Sequence, residues 1–207
     1  FEYQEKLAHG MGFRKENGQQ PVEVFLGRLH GEMSFIKQQY VLFLCELENT
    51  KKQKRKKKLR QVTKVEGVEV KKGMLHFVSP EDILNDPHLL IKIFKESARL
   101  KIPLSAEARR LVRDFVYLVD ETYRTSASVV KLFERILAKP VSKLNVLNDM
   151  LNTGFLVAFI PEFKGIRNRI QYDEYHLYPE DKHSLRTVHT IKKFGRADDP
   201  SEDPLCG

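Results

Sequence analysis

Apolar residues recur every three or four positions over much of the chain, which is the spacing of one face of an α-helix. The longest such stretch follows Pro21, a residue that the first helical turn tolerates, and predicts one long helix over 21–48. Gly27 and Gly31 lie off its apolar stripe, and close packing against another helix would explain them. The stripe consists of Val22, Phe25, Leu29, Met33, Ile36, Tyr40 and Phe43.

The segment 62–78 has a different pattern, with β-branched residues in short alternations and two glycines, Gly67 and Gly73. This pattern predicts a small β-hairpin.

Helical start signals then return. Ser79 followed by Pro80 is typical of an N-cap and first helical residue, and Asp86-Pro87 predicts a second start.

Three further helices are predicted from their apolar stripes, and these stripes are expected to be core. Ser105 is expected to cap the first, the second covers 129–137, and the third covers 144–151 and ends at Gly154 as a C′ residue. The predicted fold is therefore mainly α, a multi-helix domain with one small hairpin. The helix after Ser105 is expected to carry Leu111, Val112, Phe115, Leu118 and Val119.

The charge of the chain is concentrated in one run. Residues 51–60 hold eight of the 36 Lys and Arg residues, so the other 28 balance the 28 acidic residues. Such a run can bind an anionic partner, but it has no interleaved aromatic residues, and a solvated linker is favoured over nucleic-acid binding. The residues that would contact an anionic partner are Lys54, Arg55, Lys56, Lys57 and Lys58.

Membrane insertion and disulfide bonding are not expected. The longest apolar run, 155–160, is far shorter than the roughly 18 residues that a membrane span needs, and no signal peptide is visible. Cys45 and Cys206 form neither a disulfide framework nor a metal-binding spacing. These features predict a cytoplasmic protein.

Candidate chemistry is densest in 171–188, where His176 and His183 lie seven residues apart with Asp173 and Asp181 nearby. Imidazole and carboxylate groups are ligands of divalent metals. No His-Asp pair follows to complete such a site before the sequence ends. We therefore expect part of a larger enzyme, cut just inside a hydrolytic domain.

The segment 150–188 contains a motif of residues at fixed spacing, namely Met150, Gly154, Ile160, Pro161, Phe163, Gln171, Asp173, His176, Tyr178, Asp181, His183 and Ser184. Through these residues the segment resembles the bacterial protein-PII uridylyltransferase/uridylyl-removing enzyme family. The likeness extends more loosely over most of the chain. Pro179-Glu180 departs from the family's turn, which adds stiffness and charge beside the candidate site.

The resemblance implies an organisation and a chemistry. Residues 1–150 would be the helical connector of the family, and 151–207 the lead-in and first helix of a truncated HD phosphohydrolase domain. The parent enzyme would use UTP to modify the PII signalling protein, and a divalent metal, Mg or Mn, to reverse the modification. His183 would be a metal ligand, His176 a candidate ligand, and Asp181 a group that orients the ligands. The chain itself would hold no complete catalytic site and would be inactive alone.

Two other functions fit the same residues. One is a non-catalytic helical module that binds an anionic partner through the run 51–60. The other is a fragment of an HD-type hydrolase that acts on a nucleotide. The sequence does not indicate an oligomeric state.

Overall fold

The computed structural model describes residues 2–52, 63–139, 145–170 and 179–194. Within these ranges the chain forms ten α-helices and one two-stranded antiparallel hairpin, which confirms the mainly α prediction. The helices are α1 (Glu2–Gly10), α2 (Pro21–Lys52), α3 (Pro80–Asn85), α4 (Leu89–Leu100), α5 (Ala106–Asp114), α6 (Glu121–Thr125), α7 (Ala127–Leu137), α8 (Val146–Asn152), α9 (Phe155–Phe159) and α10 (Glu180–Phe194). The strands are β1 (Val68–Lys71) and β2 (Met74–Phe77), and short 3-10 helices cover Val116–Leu118 and Pro161–Gly165. Over the same described ranges, none of the helices combines the length and the apolar character that crossing a bilayer requires.

The chain divides into two compact units. Unit 1 consists of Phe1–Tyr40 and Glu162–Gly207, and unit 2 is the continuous segment Val41–Pro161. Unit 1 therefore unites residues from the two ends of the sequence. The division at 150/151 concerns the domains of a longer protein, and it stays a prediction.

The core of unit 1 lies where the first turns of α2 meet α1. Ala8, Val22 and Phe25 are buried together, and Phe13 and Leu26 pack against them. The rings of Phe13 and Phe25 meet edge to face, with their centroids 5.4 Å apart. The first residues of the α2 apolar stripe, Val22 and Phe25, are thus buried in the core of unit 1.

The core of unit 2 is built around α4, which packs against α7, α8 and β2. Leu90, Ile93 and Phe94 of this helix are fully buried. The ring of Phe94 lies 5.3 Å from that of Phe155 on α9, which in turn stacks on Phe159 at 5.9 Å. The apolar residues Phe155 and Phe159, which follow Gly154 of the motif, therefore belong to this core.

A buried ion pair joins two helices of the same unit. One guanidinium nitrogen of Arg109 on α5 donates to both carboxylate oxygens of Asp149 on α8, at 3.0 and 3.1 Å. Both side chains are almost completely shielded from solvent. The pair fixes two helices whose charged residues are 40 positions apart in sequence.

The predicted hairpin is confirmed. Val68 pairs with Phe77, and the turn between the strands places Lys72 and Gly73 at φ values of 49° and 73°. Two consecutive residues with positive φ are typical of the tight turns that connect hairpin strands. Gly67 also has a positive φ, 80°, and a Cβ there would lie 2.7 Å from Cδ1 of Leu89.

The helix boundaries that depend on local side chains are confirmed. The hydroxyl oxygen of Ser79 accepts from the backbone N–H of Asp82, with Pro80 in the first turn. Ser105 caps α5 in the same way. Gly154 follows α8 in the left-handed conformation, with φ 82°.

One predicted helix is shorter than expected. The expectation of one helix from Ser105 through Val119 is wrong, because α5 ends at Asp114 and a 3-10 turn covers Val116–Leu118. The physical reason is a change of hydrogen bonding after α5, since the N–H groups of Leu118 and Val119 donate to carbonyls three residues back, those of Phe115 and Val116. Such bonds tighten the chain into a 3-10 turn, and Asp120 then caps α6.

Candidate functional site

The candidate site lies at the beginning of α10, and Asp181 anchors this end of the helix. Its side chain is almost completely buried. One carboxylate oxygen accepts from the backbone N–H of Asn168 at 3.1 Å, and the other from the N–H of Lys182 at 2.7 Å. Asp181 thereby satisfies an N–H of the first helical turn and ties the helix to the preceding segment.

The segment that Asp181 holds is a turn pressed against α2. Asn168 has a positive φ of 53°. A Cβ on Gly27 would lie only 2.5 Å from the carbonyl oxygen of Asn168, and one on Gly31 would lie 3.1 Å from its Nδ2. The two glycines therefore permit a close approach, as their position off the stripe indicated, but the neighbour is this turn and not a helix.

A second pair of contacts secures the same junction. The backbone N–H of Glu180 donates to the carbonyl of Arg169 at 2.9 Å, and the Arg169 Nε lies 3.5 Å from Oε1 of Glu180. The carbonyl of Pro179 accepts from the N–H of His183 at 2.9 Å. Pro179 and Glu180, which depart from the family's turn, thus take part in the start of α10.

His183 lies on the first turn of α10 with its side chain exposed, whereas Asp181 points into the protein. Residues two apart on a helix do not face each other. His183 is therefore open to a ligand that approaches from outside, while the carboxylate of Asp181 is engaged by backbone N–H groups.

A complete metal site is not assembled by the residues that the structure describes. Over 2–52, 63–139, 145–170 and 179–194, no three His, Cys, Asp or Glu side chains are grouped so that they could hold a metal ion. His176 and Asp173, as well as Lys54 to Lys58 of the basic run, lie outside these ranges. The described residues alone do not fit a divalent metal, and the metal-binding role of His183 stays a prediction.

His189, on the second half of α10, shows a feature that the sequence did not indicate. Its Nε2 is buried and has no hydrogen-bond partner among the described residues. Its apolar neighbours Val188 and Ile191 do not indicate which ring nitrogen is shielded. This shielding follows only from the packing of α10.

A basic cleft in unit 1 was also missed. It is open, has a volume of about 620 Å³, and lies between the segment 12–16 and the side of α2. Arg14, Lys15 and Arg28 line it together with Glu16, and among the described residues none of the three cations makes an ion pair. The only signal in the sequence was the dipeptide Arg14-Lys15 after a glycine-containing turn.

Comparison with known proteins shows which enzymes the chain resembles. It is 28% identical over its whole length to a bifunctional uridylyltransferase/uridylyl-removing enzyme of Ruegeria pomeroyi, and 27% identical over its whole length to one of Cereibacter sphaeroides. An enzyme of the same name from Methylococcus capsulatus is 35% identical over 47% of the chain. The resemblance predicted from the motif is therefore confirmed, and it covers the whole chain.

The chain spans only part of these relatives. It covers 23% of the length of the Ruegeria and Cereibacter enzymes. No protein-family model matches the chain, and no solved structure gives a significant match.

Proposed function

We propose that this chain is part of a cytoplasmic bifunctional enzyme that transfers UMP from UTP to the PII signalling protein and removes it by hydrolysis. The observation that carries the proposal is the similarity over the whole chain to enzymes named for both activities. The chain supplies helical scaffolding and one edge of the site for uridylyl removal.

Within this enzyme, α10 is the first helix of an HD-type hydrolase domain, and His183 supplies one ligand to a divalent metal, Mg or Mn. The exposure of His183 on the first turn of α10 supports this role, because a ligand that completes its site with other segments must face outward. Asp181 holds α10 against the turn at Asn168 and so positions His183. The remaining ligands come from residues outside the described ranges.

The test is the substitution His183→Ala in the longer enzyme that contains this chain. We expect uridylyl removal from modified PII to fall by more than about 100-fold, because losing a metal ligand costs at least as much as losing a residue that orients one. Transfer of UMP from UTP should persist, and so should the melting temperature, since the side chain is exposed. Both activities are measured on the same preparation.

Thr190→Ala is the matched control, because Thr190 is also exposed on α10. It should leave removal and transfer unchanged. Residues 1–207 alone should hydrolyse neither uridylylated PII nor a simple phosphodiester with Mg or Mn present. Undiminished removal in the His183→Ala enzyme would contradict the proposed role of His183, and absence of both activities in the unsubstituted longer enzyme would contradict the proposed function.

A further inference from the structure

The middle of α2 carries an apolar surface that faces solvent. Leu29 is 41% exposed, Met33 57%, Ile36 65% and Tyr40 59%. These four residues, called the seam below, all belong to unit 1. Four large apolar side chains on one stripe of a helix are unusual on the surface of a monomer, and such a patch marks an interaction site.

The spacing of the seam is that of a coiled coil. Steps of four and three residues alternate through its four members, and the sequence keeps the same alternation from Val22 to Leu47. This pattern has an average period of 3.5 residues, which is the repeat of helices that pair along their length. In heptad terms Leu29 and Ile36 take d positions, and Met33 and Tyr40 take a positions.

The packing of unit 1 leaves the seam accessible. The contacts of α2 with the turn at Asn168 are made at Gly27 and Gly31. At 3.6 residues per turn, Gly31 lies about 140° around the helix from Ile36. The seam and the contact with the turn at Asn168 are therefore on opposite sides of α2, while the first turns of the seam's own stripe, at Val22 and Phe25, are buried in the core of unit 1.

The charges beside the seam complement a second copy of the same helix. Glu32 takes a g position and Lys37 the e position of the next heptad, and both side chains are exposed. In a parallel pair of helices, g of one chain lies beside the following e of its partner. Glu32 of each copy would then face Lys37 of the other, which gives two ion pairs by symmetry.

We propose that the seam binds the seam of a second copy of this chain, so that two α2 helices pair in parallel. The 4-3 spacing sets the pairing geometry, and the Glu32–Lys37 complementarity selects the parallel register. The surface is separate from α10 and from the residues assigned to uridylyl removal. The experiment that tests this pairing measures molecular mass and not enzymatic activity. A negative result can therefore be distinguished from failure of the proposed function.

Sedimentation equilibrium of residues 1–207 tests the proposal. The unsubstituted chain should approach twice its 24.2 kDa at concentrations of about 100 µM. Ile36→Glu places a charge in the centre of the seam and should weaken association by at least about 100-fold. Phe35→Glu is the matched control, because Phe35 is an exposed apolar residue at 51% but lies off the seam, and it should leave the mass unchanged.

Charge exchange tests the register. Glu32→Lys and Lys37→Glu should each weaken association by about tenfold, and the double substitution should restore it, because the two ion pairs re-form with reversed sign. Circular dichroism confirms that each variant is folded. A monomer at all concentrations, equal effects of Ile36→Glu and Phe35→Glu, or no recovery in the double variant would overturn the proposal. A monomeric longer enzyme whose melting temperature falls with Ile36→Glu would also overturn it, since the seam would then be covered by another part of that polypeptide.

Discussion

At the scale of single residues, the beginning of α10 separates two roles that the sequence placed side by side. Asp181 and His183 are two positions apart, and both were candidates for one metal site. The structure buries Asp181 against backbone N–H groups and exposes His183. A carboxylate that satisfies backbone donors stabilises the fold whether or not a metal is present.

This difference makes a prediction for Asp181. Asp181→Ala should lower the free energy of unfolding by about 1–3 kcal/mol, because it removes a buried carboxylate and leaves the half-buried N–H of Asn168 without its acceptor. His183→Ala, the matched control on the same turn, should change it by less than about 0.5 kcal/mol, as exposed substitutions generally do. Urea denaturation of both variants without added metal measures the difference. Equal stabilities would mean that Asp181 does not anchor α10.

At the scale of elements, α2 and the turn at Asn168 approach each other closely at Gly27. Gly27→Ala would place a Cβ 2.5 Å from a backbone oxygen, which cannot move without moving the turn. The expected loss of stability is about 1–3 kcal/mol, even though alanine alone favours a helix by up to about 1 kcal/mol.

Gly31→Ala is the matched comparison for Gly27→Ala. Its Cβ would meet Nδ2 of Asn168 at 3.1 Å, and a side-chain amide can shift. We expect a change within about 1 kcal/mol of zero, since the gain in helix propensity offsets a mild contact. Thermal unfolding of the two variants tests the assignment. A larger loss for Gly31→Ala than for Gly27→Ala would contradict the observed approach.

The helices also show which structural features could be predicted from the sequence and which could not. The caps at Ser79 and Ser105 and the left-handed Gly154 were predictable, because each acts within a few residues of its own position. The contact between Gly27 and Asn168 was not predictable, since Asn168 is far away in sequence and no local pattern indicates that the two residues meet. For the site, the helix that carries His183 was predictable, whereas the burial of Asp181 depends on a turn that tertiary packing positions.

At the scale of the whole molecule, two ionisable groups of unit 2 make stability depend on pH. Burial lowers the pKa of His76 below its ordinary 6.5, although Glu107, 3.9 Å away, acts in the opposite direction. Burial alone would raise the pKa of Glu96, but the hydrogen bonds and charge of Arg99 outweigh it, and the net pKa is lowered. In both cases the unfolded chain takes up a proton more readily than the folded chain does.

Stability should therefore fall as the solution is acidified, in two windows. Below about pH 6.5 the unfolded chain protonates His76 before the folded chain does, and near pH 4.5 and below the same holds for Glu96. His76→Gln removes the first contribution, so its unfolding midpoint in urea should fall less between pH 7.5 and 5.5 than that of the unsubstituted chain. His9→Gln makes the same change of side chain at an exposed position on α1 and serves as the matched control. If the midpoint of His76→Gln falls as much between pH 7.5 and 5.5 as that of the unsubstituted chain, other groups cause the loss of stability in this range, and the burial of His76 does not control it.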